Sequence, residues 1–140
     1  MITSKPGIGI VAPSGYTLDD AAVQRGVKLL EARGHIVHNY FDTAKVFQRF
    51  GATDEARLAQ LQAAACDPEV DIVLALRGQY GLTRLLPRID FDAMAASGKI
   101  FVGFSDFTAF QMGLMAKTGA KSYAGPMLYP DFCPKEPVGY

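Results

Sequence analysis

The chain has 140 residues, of which 49% are hydrophobic and 20% charged, and 14 Lys and Arg balance 14 Asp and Glu. This length and composition predict one globular domain with a sizeable core, and they exclude an intrinsically disordered chain. The basic residues are scattered singly along the sequence, which argues against electrostatic binding of nucleic acid.

Cysteine spacing and the amino-terminal sequence bear on the compartment. Cys66 and Cys133 have no CxxC or Cys/His spacing, so we expect neither a zinc site nor a disulfide framework. No signal-peptide hydrophobic region follows Met1, and no stretch approaches the roughly 18 apolar residues of a membrane span. We therefore expect a soluble, cytoplasmic protein without membrane association.

Short β-rich apolar runs alternate with helical patterns along the chain. Strands are predicted at residues 7–12, 36–39, 71–76, 100–103 and 121–124, and helices at residues 18–33, 53–66, 83–86, 91–97 and 107–116. Residues 41–53 show no clear period. The alternation predicts an α/β domain over residues 1–125, with an open, mostly parallel sheet and helices on both faces, doubly wound and flavodoxin-like. The proline-rich residues 126–140 are predicted to form a linker.

Three unusual loops follow the first, third and fourth predicted strands, at residues 13–15, 77–81 and 104–106. In a doubly wound sheet, ligands bind outside the carboxyl ends of the strands, so these loops are expected to meet at one crevice. We therefore expect the functional site to lie there.

The turn at residues 103–106 joins an apolar strand directly to a helix. Such a turn would expose the Ser105 hydroxyl above the sheet beside the N–H groups that begin the helix, as in a nucleophile elbow. The pattern departs from G-x-S-x-G because Phe107 stands in place of the second glycine. On spacing alone, Ser105 as a helix N-cap followed by the acidic Asp106 explains the same residues.

The loop at residues 77–81, Arg-Gly-Gln-Tyr-Gly, supports two interpretations. Its glycines would let backbone N–H groups approach an oxyanion or a carboxylate, and Arg77 could clamp a carboxylate. A glycine-rich turn with a surface arginine is the simpler interpretation. His35 and His38, the only histidines, fall beside the second predicted strand and are expected to be structural.

Five segments occur in a characteristic order: IGIVAPS (residues 8–14), TDEAR (53–57), LRGQYG (76–81) followed by RLL (84–86), VGFSDFT (102–108) and GPM (125–127). Together they resemble the amino-terminal domain of the LD-carboxypeptidases, a family of serine peptidases. The resemblance implies that Ser105 is the nucleophile. It also implies an oxyanion hole formed by the N–H of Asp106 and that of Gly78 or Gln79, although the family usually has glycine where this chain has Gln79.

The same resemblance implies a cytoplasmic homodimer without cofactor or metal that removes the terminal D-alanine from L,D-linked murein tetrapeptides during cell-wall recycling. Arg77, Tyr80 and Ser14 are expected to contact the substrate. In the family the general base is a histidine held by a glutamate, and both come from a carboxyl-terminal domain that follows the linker. Residues 1–140 alone are therefore expected to be inactive.

Two alternatives stay open at this point. A sister branch of the family hydrolyses a peptide-nucleotide antibiotic and so confers immunity. A non-catalytic α/β binding or assembly domain could instead use the same crevice for a small anion or a peptide carboxylate.

Overall fold

The computed structural model describes residues 5–135 and contains a five-stranded parallel sheet. Its strands are β1 (Ile8–Val11), β2 (Val37–Asn39), β3 (Ile72–Ala75), β4 (Ile100–Gly103) and β5 (Tyr123–Ala124). They lie in the order β2-β1-β3-β4-β5, and every neighbouring pair is parallel. This is the strand order of flavodoxin-like folds, so the predicted fold class is confirmed.

Within the described residues, four α-helices cover the two faces of the sheet: α1 (Asp20–Ala32), α2 (Asp54–Cys66), α3 (Phe91–Ala96) and α4 (Thr108–Thr118). Successive strand residues point to opposite faces. Ile10 and Leu74 therefore join the core beneath α1, whereas Val11 and Val73 join the core beneath α2, α3 and α4. Both cores are continuous with the sheet, which makes the crossover helices part of one folded unit.

Several predicted helical boundaries shift because the chain forms short 3₁₀ turns. The single helix predicted at residues 83–86 is wrong in detail, since two turns, Leu82–Arg84 and Leu86–Arg88, replace it. Pro87 lies in the first turn of the second segment, where its missing N–H costs no hydrogen bond. Residues 41–53 contain one further 3₁₀ turn, Thr43–Lys45, and a tight turn in which Phe47 pairs with Phe50.

The residues that follow β5 pack on the domain. Leu128 is fully buried in the core beneath α1, and its N–H donates to the Ala75 carbonyl over 3.0 Å. The next N–H, that of Tyr129, donates to the Leu76 carbonyl over 2.9 Å. This segment is therefore hydrogen-bonded to the carboxyl end of β3. Residues 136–140 of the predicted linker lie outside the described residues, and the linker and its boundary at residue 125 stay predictions.

No helix within residues 5–135 combines the length and the apolar character that a membrane crossing requires.

Candidate active site

The loops that follow β1, β3 and β4 meet at the carboxyl ends of the strands. The N–H of Gly15 donates to the Gly78 carbonyl over 2.8 Å, which ties the first of these loops to the second. Gly78 in turn lies against Ser105, because a Cβ built on this glycine would come within 2.7 Å of both Cβ and Oγ of the serine. A substrate at this edge of the sheet would therefore meet all three loops.

Ser105 lies at the start of a 3₁₀ turn, Ser105–Phe107, that leads directly into α4. Its side chain is exposed and its φ is +59°, in the left-handed region that costs a non-glycine residue about 1–2 kcal/mol. The N-cap residue of this turn is Phe104, not Ser105. The interpretation of Ser105 as a helix cap is thus wrong, and a strained, exposed hydroxyl at a strand-to-helix junction is typical of a nucleophile elbow.

Phe107 explains how the turn departs from the G-x-S-x-G pattern. Its ring is fully buried, stacks on Phe110 at a centroid distance of 5.0 Å, and occupies the space beside Gly103, where a Cβ would lie 2.6 Å from the ring. The side chain thus enters the core beneath α4, away from the face of the turn that carries Ser105. The glycine that this close approach requires is Gly103, at the end of β4.

Gly78 and the Asp106 nitrogen lie beside the Ser105 side chain. A Cβ on Gly78 would lie 3.5 Å from the Asp106 nitrogen, so the two residues flank the same space. Within residues 5–135, neither the N–H of Gly78 nor that of Gln79 donates a hydrogen bond to another residue. The Asp106 carboxylate accepts from the N–H of Leu82 over 3.0 Å and so joins the start of α4 to the loop after β3.

Gln79 adopts a φ of +76°, a conformation that glycine adopts without strain. Its side chain lies over Gly15, since a Cβ at that position would come within 2.8 Å of the Gln79 Cβ. The missing side chain at position 15 therefore makes room for the glutamine at position 79. The loop keeps a left-handed residue at this point in spite of the substitution.

A buried arginine on α2 supports these loops from below. The Arg57 side chain is fully buried, and its guanidinium donates to the carbonyls of Pro13 over 2.6 Å, Gly81 over 2.9 Å and Ala52 over 3.2 Å. One side chain thus provides hydrogen-bond donors for backbone carbonyls in the loops after β1 and β3. Arg57 belongs to the TDEAR segment that resembles the family, but no local pattern in the sequence indicates that its charge is buried.

The charge of Arg57 is compensated by Asp54, one helical turn earlier, at 2.6 Å. Arg84 donates to both oxygens of the same carboxylate, over 3.0 to 3.1 Å. The hydrogen bonds from Arg84, assisted by that from Arg57, hold the pKa of the Asp54 carboxyl below its usual value. Both guanidinium groups also lie over the Phe50 ring, at 4.7 and 5.4 Å from its centroid.

Two buried glutamines fix further strand ends. Gln60 on α2 accepts from the N–H of Ala12 over 2.8 Å. Gln111 on α4 donates to the carbonyls of Gly103 and Tyr123, over 3.1 and 2.8 Å. Helix side chains therefore set the position of the carboxyl ends of β1, β4 and β5.

A cleft of about 550 Å³ opens beside the loops and contains two of the predicted substrate-contacting residues, Arg77 and Tyr80. Arg77 donates to the Tyr16 carbonyl over 3.2 Å and lies over the Tyr129 ring. Ser14, the third predicted contact, is fully buried, and its hydroxyl has no hydrogen-bond partner among residues 5–135. Among the described residues, the lining consists of Tyr16, Thr17, Leu18, Arg49, Arg77, Gln79 and Tyr80.

Both histidines lie away from this edge. His38 lies on β2, three strand positions from β4, which corresponds to about 14 Å across the sheet. His35 precedes β2, at the amino ends of the strands, and its Nδ1 lies 2.8 Å from the Pro6 carbonyl. Neither histidine is therefore placed to take a proton from Ser105.

One group within residues 5–135 could hold a metal ion. His38, Asp67 and Glu69 each bring a ligand atom to within 4.8 Å of the others. The Asp67 carboxylate also accepts from the Tyr40 hydroxyl over 2.7 Å, and this hydrogen bond lowers its pKa. This cluster lies towards the amino ends of β1 and β3, because Asp67 and Glu69 precede β3 and the Glu69 backbone lies against Gly7. It therefore takes no part in the candidate active site, which lies at the carboxyl ends of the strands.

The strand order and the strained serine at the end of β4 define a doubly wound α/β domain with a candidate nucleophile elbow. The chain belongs to the LD-carboxypeptidase family, whose amino-terminal domain model matches residues 8–125. A Streptomyces coelicolor protein named as a carboxypeptidase is 40% identical over 126 residues, which are 86% of this chain and 40% of the relative. The microcin C7 self-immunity protein MccF of Escherichia coli is 34% identical, over 81% of this chain and 33% of its own length.

Solved structures agree with this assignment. A muramoyltetrapeptide carboxypeptidase from Oxalobacter formigenes is 50% identical with a TM-score of 0.84, over 91% of this chain and 42% of that protein. MccF without ligand superposes with a TM-score of 0.88 at 28% identity, over 97% of this chain and 41% of the MccF chain. The chain thus spans 33% to 42% of the length of these four relatives.

Proposed function

We propose that this chain is the nucleophile-bearing half of a serine LD-carboxypeptidase, with Ser105 as the catalytic nucleophile. The observation that carries the proposal is the conformation of Ser105, which is exposed, left-handed at φ +59° and pressed against Gly78. Such backbone strain persists only where the surrounding structure enforces it, and it is concentrated at functional sites. Relatives named as carboxypeptidases support the hydrolase class.

In the proposed reaction, the Ser105 hydroxyl oxygen attacks the carbonyl carbon of the scissile peptide bond, and its proton passes to a general base. Negative charge then develops on the carbonyl oxygen. We assign its stabilisation to the N–H of Asp106, whose nitrogen lies close to Gly78 beside Ser105, and to that of Gly78 or Gln79, neither of which donates a hydrogen bond within residues 5–135. The C–N bond of the scissile peptide then breaks, and the leaving amine takes the proton from the base. Water later hydrolyses the ester bond of the acyl-enzyme and frees the Ser105 hydroxyl.

The general base is proposed to lie in a carboxyl-terminal domain of the same protein, as a histidine oriented by a glutamate. The positions of both histidines of this chain support this assignment, because a base must lie within about 2.6–3.2 Å of the hydroxyl. Homodimer formation, a cytoplasmic location and independence of any cofactor belong to the same proposal.

The proposed substrate is an L,D-linked murein tetrapeptide, from which the terminal D-alanine is released. Homologues named murein tetrapeptide carboxypeptidase and muramoyltetrapeptide carboxypeptidase support it. The second candidate is hydrolysis of a peptide-nucleotide antibiotic. It is supported by the similarity to MccF, of which one solved structure is a complex with glutamyl sulfamoyl guanosine.

The test is an assay of D-alanine release from an L,D-linked tetrapeptide by the whole protein. Ser105→Ala is expected to lower turnover by more than about 10³-fold, because a lost nucleophile costs more than a lost oxyanion donor. Ser122→Ala, a serine just before β5, is the matched control and should retain activity. Wild-type turnover by Ser105→Ala would remove Ser105 from the mechanism.

Two further arms separate the alternatives. Residues 1–140 alone are expected to release no D-alanine, and adding the carboxyl-terminal domain in trans should restore release. A peptidyl sulfamoyl nucleoside, offered in parallel, distinguishes the antibiotic-hydrolase candidate. A whole protein that cleaves neither compound would favour the non-catalytic binding domain.

A further inference from the structure

The cleft beside the active-site loops is positively charged. Its lining within residues 5–135 includes two arginines, Arg49 and Arg77, and no acidic side chain. This is unexpected in a chain whose formal net charge is zero. Gln79 and Tyr80 also line the cleft, so the charged surface is continuous with the loop that borders Ser105.

Arg49 stands at the tip of a fixed turn. The turn is closed by two backbone hydrogen bonds between Phe47 and Phe50, of 2.9 and 3.2 Å. Gln48, beside Arg49, has a φ of +54°, which makes it one of three non-glycine residues with positive φ within residues 5–135. The other two are Gln79 and Ser105, so all three strained positions adjoin the cleft or the nucleophile.

The body of the molecule holds this turn in place. Phe50 is buried beneath the Arg57 guanidinium, and the next N–H, that of Gly51, donates to the Ser14 carbonyl over 3.0 Å. A Cβ on Gly51 would come within 2.6 Å of the Ala12 carbonyl oxygen, so the turn sits directly on the end of β1. The backbone that carries Arg49 is therefore positioned before any ligand binds.

The two arginines of the cleft differ in their partners. Arg77 is anchored by the Tyr16 carbonyl and the Tyr129 ring. Arg49 is exposed, and within residues 5–135 its guanidinium forms no ion pair or hydrogen bond. Five N–H donors on a fixed turn are thus open to a ligand, in the planar geometry that suits carboxylate and phosphate.

We propose that Arg49 is a specificity-determining residue that binds a negatively charged group of the substrate, in addition to any anion held by Arg77. The inference rests on the proposed function and specifies its substrate class as an acidic peptide with a free carboxylate in the part that occupies this cleft. Phosphate shares the same chemistry, and a nucleotide is therefore included as a separate probe.

The experiment measures binding and does not depend on turnover. The whole protein carrying Ser105→Ala is titrated calorimetrically with an L,D-linked tetrapeptide, with the same peptide after its side-chain carboxyl groups are amidated, and with adenosine monophosphate. Arg49→Gln is expected to weaken binding of the acidic peptide by roughly tenfold, the value of one charge-assisted hydrogen bond at an open surface. Arg49→Lys should recover part of this loss.

Arg33→Gln is the matched control, since it removes the same charge from an exposed arginine at the end of α1 and should leave binding unchanged. Equal affinity of Arg49→Gln and the parent for the acidic peptide would overturn the proposal. So would a loss of affinity for the amidated peptide as large as that for the acidic peptide, or a parent that does not bind the acidic peptide at all. A loss confined to adenosine monophosphate would overturn the peptide assignment in favour of a phosphate. If the wild type releases no D-alanine, the proposed function fails but the titration still decides the role of Arg49.

Discussion

Two regions of this domain are held together in opposite ways. Beneath α3 and α4, the rings of Phe91, Phe101 and Phe107 surround Phe110 at centroid distances of 4.9 to 5.8 Å. At the carboxyl ends of the strands, the loops rest on buried polar side chains, close glycine contacts and left-handed residues. Apolar packing tolerates changes of similar volume, whereas the polar framework depends on individual atoms.

The two regions meet at the turn after β4. Phe107 enters the aromatic core, while Ser105, two residues earlier, faces the crevice. The aromatic core thus anchors α4, and the polar framework positions the loops that face its first turn. A rigid base of this kind lets a strained serine persist, because packing elsewhere offsets its conformational cost.

The largest expected effect comes from breaking the polar framework at Arg57. Arg57→Met should lower the free energy of unfolding by about 3–5 kcal/mol, because three loop carbonyls lose a buried donor and Asp54 loses its buried partner. Arg84→Met is the control on the same carboxylate. Its side chain is 56% exposed, and it should cost no more than about 1 kcal/mol. Urea unfolding of both variants measures these changes. Equal losses of unfolding free energy would show that the buried arginine contributes no more to stability than the exposed one.

The next effect concerns close approach at the site. Gly78→Ala would place a Cβ 2.7 Å from Ser105, so the nucleophile must shift. We expect turnover to fall about 100-fold, the typical result of a displacement near 1 Å. Gly98→Ala is the control, because it has a positive φ of +68° but no neighbouring atom within 4 Å. It should lower stability by about 1–2 kcal/mol without changing turnover, and a similar loss of turnover in both variants would show that contact with Ser105 is not the cause.

The smallest expected effect comes from the left-handed residue Gln79. Gln79→Gly should raise the free energy of unfolding by about 0.5–1 kcal/mol, since relief of left-handed strain outweighs the added backbone entropy. It should also preserve or raise turnover, because glycine keeps the backbone N–H that the proposed oxyanion hole uses. Gln62→Gly, on the exposed face of α2, should instead destabilise by about 1 kcal/mol. Thermal unfolding and D-alanine release measure both, and a destabilised Gln79→Gly protein would show that the glutamine side chain contributes more than its strain costs.

Much of the fold could be predicted from the sequence because its signals are local. The apolar run that becomes β3 and the capped, alanine-rich pattern of α2 each indicate their element within a few residues. The turn that carries Ser105 was equally visible, since it lies between one apolar strand and one helix. Short 3₁₀ segments such as Leu86–Arg88 could not be predicted from the sequence, because one turn is too short to show a period.

The candidate site was predictable only in outline. Residues Arg77 and Tyr80 were placed at the crevice by the parallel topology, and both line its cleft. The sequence analysis did not identify Arg49 as a cleft residue, because residues 41–53 have no periodicity. The turn that carries Arg49 is placed beside the cleft only by its contact with the end of β1. The burial of Ser14 was equally invisible, because it depends on neighbours distant in sequence.

The sequence by itself therefore determined the alternation of strands and helices and the chain position of the elbow serine, since both depend on residues adjacent along the chain. Only the tertiary structure decided which charge is buried, which loops touch and that both histidines lie away from Ser105. Arg57 contacts Gly81, 24 residues away, and Arg77 contacts Tyr16, 61 residues away. Such contacts arise because parallel strands bring distant loops to one edge of a sheet, and no local pattern of residues specifies the distances between them.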